Sequence, residues 1–454
     1  MKELDLTQGS VPKVLLQFAV PFLIANVLQA LYGGADLFVV GQYDDSASVA
    51  AVAIGSQVMQ TITGIILGIT TGTTVLIAIA TGAKDNRKVA FTIGSSVWLF
   101  SITGVVLTLV MVLFHSRIAE LMHTPVEAMV DTKNYILVCS LGILFIVGYN
   151  VVCGILRGLG DSKTPLYFVG LACVINIVLD FILVGYFHWG ATGAAIATVT
   201  AQGVSFGIAL WFLYRHGFHF DFSRKDIRLN RNLSKKILVL GAPIALQDAL
   251  INVSFLIITV IVNQMGVIAS ASLGVVEKII VFAMLPPMAI SSAVATMTAQ
   301  NYGAGLIKRM NKCLASGIGI ALVFGVSVCV YSQFLPETLT AFFTKDAAVV
   351  AMAADYLRGY SIDCIVVSFV FCIISYFSGQ GNSLFPMIHS LIATFLFRIP
   401  LSYWFSQIDS SSLFIMGFAP PISTVVSLLI CIWYLRYTQR KLYLRGTMMP
   451  AMSN

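Results

Sequence analysis

Two acidic residues sit where a chain normally avoids charge. Asp36 lies in the stretch NVLQALYGGADLFVVGQ and Asp180 in NIVLDFILV, both among apolar neighbours. An ionisable group inside an apolar run long enough to cross a bilayer is costly, so it is a functional candidate by default. Asn176 precedes Asp180 by one helical turn, which puts an amide and a carboxyl group on one face. Thr198, in GAAIATVTAQG, adds a hydroxyl. Asn26, Gln29, Gly33 and Asp36 follow the i, i+3, i+7, i+10 spacing of a single helix face, with Tyr32 beside them. The chemistry these groups permit is cation binding. A poorly solvated carboxyl group takes up a proton closer to neutral pH than a solvated one, and a second acid nearby strengthens the effect. With both acids ionised, their oxygens and those of Asn176 and Thr198 suit Na+ instead. The residue types leave H+ and Na+ both open.

The second half of the chain offers Gln247, Asp248, Asn252 and Glu277, which join Asn26, Gln29 and Tyr32 as candidate lining of a substrate cavity. Each has a bland alternative. Asp248 or Asp363 can reach the headgroup region from a helix end. Glu277 reads first as a neutralised pair with adjacent Lys278 or another base. Arg398, in LFRIPLS, reads as a helix-packing or carbonyl-capping cation. His216 and His219 fall in a polar stretch and read as solvated, and the eight cysteines, without any CxxC pair, read as reduced packing residues. No cofactor is expected, and no metal beyond Na+ at Asp36, Asn176, Asp180 and Thr198.

GLGDSKTP at 158–165 looks like the GxGD signature of an intramembrane aspartyl protease. The chain writes GQGNSLFP at 379–386, keeping Gly and Pro and replacing Asp161 with Asn382. A turn explains this better than catalysis does, because Gly and Pro supply the bend and no second acid stands at the matching position. No HExxH or GxSxG signature survives scrutiny either, so the chain is not expected to be an enzyme.

These residues need elements to hold them. Apolar residues make up 58% of the 454-residue chain and charged ones 10%, far below the roughly 25% of a soluble domain. Long apolar runs predict twelve spans, near 14–41, 49–80, 90–114, 134–156, 165–187, 191–214, 237–262, 268–299, 311–334, 348–377, 384–407 and 412–436. In lipid such spans must be helical, so the fold class is an all-α integral membrane protein. The start of the chain mixes acidic and basic residues ahead of a spanning-length run, unlike a cleavable signal.

Of the 27 Lys and Arg residues, Arg117, Lys133, Lys345 and Arg358 fall on one side, Lys278 and Arg398 lie within spans, and the other 21 fall on the opposite side. That bias places both termini in the cytoplasm. It also assigns the net charge of +7 to topology and anionic lipid rather than to nucleic acid. Tyr135 and Tyr356, Ser140 and Ser361, Gly158 and Gly379, and Pro165 and Pro386 recur at one offset. The expected organisation is therefore two six-helix lobes, 1–214 and 237–454, joined by a polar cytoplasmic linker at 215–236. Six is even, so the lobes share an orientation, with a pseudo-two-fold along the membrane normal.

Taken together, LTQGSVPKVLLQFAVPFLIANVLQALYGGADLFVVGQ, GAKD, ILRGLGDSKTPLYF, NIVLD, GAAIAT and AQNYGAG make the chain resemble the multidrug and toxic compound extrusion (MATE) family nearly end to end. That resemblance implies multidrug efflux across a bacterial cell membrane, with small organic drugs, typically cations, leaving in exchange for H+ or Na+. Membrane lipids are the surroundings, nucleic acid is not a partner, and a monomer is expected. The chain is most similar to the DinF-like branch, whose ion site in the N-terminal lobe matches Asp36, Asn176, Asp180 and Thr198, and whose hinge proline matches Pro21. Another branch uses a Glu and an Asp that fall at Ile251 and Val367 here, which argues against a cation site in the C-terminal lobe. Phe181 stands where relatives often have proline, implying a less broken helix after Asp180. The competing reading is a flippase or exporter of lipid-linked or peptidic cargo with a related two-lobe fold.

Overall fold

The computed structural model describes residues 4–408 and 412–448, leaving out the side chains of Arg224 and of 440–448. Of the basic residues counted above, Lys2 and the side chains of Arg224, Arg440, Lys441 and Arg445 lie outside that description. Among the described residues every regular element is helical. Eleven helices are long and apolar enough to cross a bilayer: α1 (Val11–Tyr43), α2 (Ser46–Gly82), α3 (Asn86–Leu121), α5 (Lys163–Tyr186), α6 (Gly190–His216), α7 (Arg231–Asn263), α8 (Val267–Gly303), α9 (Ile307–Phe334), α10 (Ala347–Gly379), α11 (Leu384–Ile408) and α12 (Met416–Gln439). The twelfth span, α4, is a pair, Val126–Leu141 and Ile143–Leu159, bent by 49°. Twelve spans is the number expected.

The helix ends follow from local chemistry. Asp45 and Asp85 each accept a backbone N–H from the first turn they precede, that of Ser48 and that of Lys88, giving α2 and α3 their N-caps. The 158–165 turn works as expected, with Gly160 in the left-handed region at φ +99°. Asp161 caps the next helix by accepting the backbone N–H groups of Lys163 and Thr164, both at 3.0 Å. In the second copy Gly381 repeats the left-handed turn at φ +83°, and Asn382 accepts the Phe385 N–H and donates to the Tyr434 hydroxyl. The acid of the protease-like motif is thus a capping group.

The chain forms two compact units. The first comprises Met1–Ala249, Thr296–Met310 and Gly379–Gly381, and so holds α1–α6, the polar segment, the start of α7 and the end of α8. Its core includes Val40, Val52, Ile66, Ile93, Phe100, Ile136 and Ile155. Small residues let its helices approach closely. A Cβ on Gly68 would meet the Ala245 backbone at 2.6 Å, and side chains on Gly82 and Gly303 would collide with the carbonyls of Gln300 and Ile79. The segment before α1 is strapped to the same end. Leu4 N–H donates to the Gly160 carbonyl at 3.3 Å, Asn301 donates to the Leu6 carbonyl at 3.1 Å, and the Arg309 guanidinium donates to the carbonyls of Leu6, Gln8 and Gly9. The polar segment docks on α3, where the Trp98 indole donates to the Ile227 carbonyl and Arg228 lies over the Phe91 ring at 4.9 Å.

The second unit comprises Leu250–Ala295, Asn311–Ser378 and Asn382–Asn454, with a core that includes Ile258, Val262, Val276, Leu357 and Met416. All eight cysteines are buried and none forms a disulfide.

Candidate functional site

The four residues singled out in the first six helices meet. Asp36 comes from α1, Asn176 and Asp180 from α5, and Thr198 from α6, and α5 packs along both α1 and α6. Asp36 is 4% exposed, Asn176 1% and Asp180 0%. Asn176 donates from Nδ2 to the Thr198 hydroxyl at 3.3 Å, and that hydroxyl donates to Asp36 Oδ2 at 3.1 Å. The Asp36 and Asp180 carboxyl groups stand within hydrogen-bonding reach of each other.

The chain of donors runs out there. Asp36 Oδ1, Asn176 Oδ1 and both Asp180 oxygens are buried without any protein donor. Buried polar atoms in folded proteins are almost always satisfied, so four converging unsatisfied acceptors mark a place for a cation. A proton shared between the two carboxyl groups, or a Na+ held by their oxygens, would satisfy it. No cluster of three or more His, Cys, Asp or Glu residues suited to a metal occurs among the described residues.

Directly after Asp180 the helix widens into a π-helical turn over Phe181–Tyr186, in which the Phe187 N–H reaches back five residues to the Ile182 carbonyl. The chain is unbroken, in line with Phe181 replacing proline, yet it is not a plain α-helix. Such single-turn widenings are frequent at functional sites. Pro21 lies inside α1, which continues through it with one backbone hydrogen bond fewer.

Other candidates fare differently. Tyr32 joins the neighbourhood, its hydroxyl accepting from the Gln202 side chain at 3.4 Å. Asn26 and Gln29 do not share the surroundings of Asp36; they line a separate cavity together with Phe22, Tyr149 and Arg157. Gln29 and Gly33 are exposed whereas Asp36 is buried, because the packing partners of α1 change along its 33 residues. Asp248 and Asn252 are exposed, and Gln247 is half-buried.

The expected Glu277–Lys278 pair is not formed: among the described residues no salt bridge involves Glu277. Adjacent residues on a helix point about 100° apart and cannot face each other. Arg398 behaves as a packing cation, its guanidinium 4.4 Å from the centre of the Phe255 ring. Asp363 is 4% exposed and within reach of Thr424 and Tyr360, so it does not reach headgroups. It sits one turn before Val367 on the same helix. His216 is exposed and stacks on Phe212.

Comparison with known proteins was made against this geometry. The family profile described as MatE matches twice, over residues 21–182 and 243–404. The chain is 29% identical to the probable multidrug resistance protein YpnP of Bacillus subtilis (strain 168), over 89% of this chain and 91% of that one. It is 26% identical to the probable multidrug resistance protein YoeA of the same strain, over 96% of each. Its fold matches the crystal structure of MATE in complex with MaD3S with a TM-score of 0.91 at 24% identity, covering 98% of this chain and 99% of that one.

Proposed function

This chain belongs to the MatE family, and on that premise we propose that it is a secondary active multidrug exporter. It expels small organic compounds, mostly cationic, in exchange for H+ or Na+ taken up at Asp36 and Asp180. The relatives named for multidrug resistance support the direction and breadth of transport. The observation that carries the coupling is the set of four buried oxygen atoms on Asp36, Asn176 and Asp180 that lack donors.

An ion entering the site offsets one of the two carboxylate charges and closes the hydrogen-bond chain through Thr198. Without it, two carboxylates face each other in a poorly solvated place. The ion therefore favours whichever packing of α1 against α5 brings the acids together, and its departure favours the other. Only such a difference in affinity between two states can drive transport. The helix interruption at Pro21 gives α1 a place to bend, and the π-helical turn after Asp180 gives α5 a matching soft point.

Everted membrane vesicles containing the chain, loaded with a fluorescent cationic dye, test this reading when pH and sodium gradients are imposed separately. One gradient should drive dye movement and the other should not. Dye movement indifferent to both would exclude ion-coupled export.

A further inference from the structure

The cavity that took Asn26 and Gln29 away from the acidic site has its own chemistry. It measures about 80 Å³ and lies between α1 and α4 at the 158–165 turn. Arg157, in the last turn of α4, lines it with its guanidinium 5.1 Å from the centre of the Phe22 ring. Among the described residues that guanidinium makes neither a salt bridge nor a hydrogen bond. The nearest ionisable groups are the Cys153 thiol and the Tyr149 phenol, with no carboxylate among them. The nearby acid Asp161 is spent on capping. Tyr149 is 3% exposed and lines the cavity, and its hydroxyl has no oxygen or nitrogen partner, only the weak Cys153 thiol standing within reach. The side-chain amides of Asn26 and Gln29 complete a wall rich in donors.

An arginine is charged at every accessible pH, and a half-buried charge without a counter-charge is costly. The flat face of the cation is covered by Phe22, which leaves its N–H edge for a ligand. We propose that this cavity is a binding site for one small monovalent anion, chloride or a short carboxylate, held by Arg157, the Tyr149 hydroxyl and the amides of Asn26 and Gln29. Its volume equals that of two or three water molecules at about 30 Å³ each, which excludes a drug-sized ligand and a large organic anion. The bound anion ties α1 to α4, well along α1 from Asp36. The inference does not depend on which ion the acidic site takes.

The test uses the full chain in lipid nanodiscs, with thermal unfolding followed at constant sodium and constant ionic strength. Gluconate, too large for the cavity, is replaced stepwise by chloride or by acetate. The unmodified protein should show a saturable rise in unfolding temperature with either small anion. Arg157→Gln should abolish the rise, Tyr149→Phe should weaken the apparent affinity several-fold, and Asp180→Asn should leave the rise intact. No anion-dependent rise in the unmodified protein, or an undiminished one in Arg157→Gln, would overturn the proposal. Should Arg157→Gln fail to fold, crystals of the unmodified chain grown in bromide decide the matter. An anomalous peak between Arg157 and Tyr149 supports the site, and its absence overturns it.

Discussion

Thr198 is the hinge of the acidic site's hydrogen bonding, receiving from Asn176 and giving to Asp36. Removing a hydrogen bond to a charged group costs about 1.5–3 kcal/mol, so Thr198→Val should shift the ion concentration for half-maximal efflux roughly tenfold or more. The shift is downward where the ion is H+, because the hydroxyl donates to the ionised carboxylate, and upward where it is Na+ held by the hydroxyl oxygen. Thr198→Ser should restore it, since the hydroxyl is what counts. Asp36→Asn and Asp180→Asn should each reduce gradient-driven dye efflux to background at normal membrane abundance. Either variant exporting at full rate would remove the pair as the coupling site. These four residues were legible in sequence because acids in apolar runs are rare and one-turn spacing is a reliable geometric statement. Their reach was not. The face shared by Asn26, Gln29 and Asp36 is real on an isolated helix, yet different neighbours cover its two ends. In sequence Arg157 reads as one of many basic residues near a turn, although Tyr149 and Asn150, about two helical turns earlier on the same apolar helix, are a readable hint of a polar wall.

Helices in the first unit are held by features that single residues control. Gly82 and Gly303 stand backbone to backbone with α8 and α2, so Gly82→Val or Gly303→Val must push α2 and α8 apart. Overpacking of this kind costs about 1–3 kcal/mol or more, and the unfolding temperature in detergent should fall accordingly. The polar segment offers a pH-dependent case. The Ser223 backbone N–H and hydroxyl, at 2.8 and 3.0 Å, hold the Asp226 carboxyl below the ordinary carboxylate range. A lowered folded-state value gives a contribution that is full above about pH 4 and lost as pH falls further. In a chain keeping Trp98 as its only tryptophan, emission should therefore shift between about pH 4 and pH 2 as Ile227 releases the indole. Asp226→Asn should remove that step. Span positions were legible to within several residues from apolar length alone. The π-helical turns at Phe181–Tyr186 and Ile392–Arg398 were not, because the width of a helical turn is settled by tertiary packing rather than by local propensity.

At the scale of the whole chain, the two MatE matches and the twin left-handed glycines at 160 and 381 tell the same story of duplication. The bias of Lys and Arg predicts that the termini and the polar segment lie in the cytoplasm, which labelling can check. All native cysteines are buried, so an added one reports cleanly. Glu127→Cys should react with a membrane-impermeant maleimide in intact cells, and Lys225→Cys only after the cells are broken; the reverse pattern would invert the orientation. The strap at the chain's start has a further consequence for how the protein is made. Leu6 leaves the ribosome first, but Arg309, which grips its carbonyl, lies 303 positions later. At about 5–20 residues per second, roughly a quarter of a minute to a minute separates the two. Leu6 is thus fastened late, once α8 has been inserted, and a nascent chain halted before residue 309 should leave the segment before α1 open to protease.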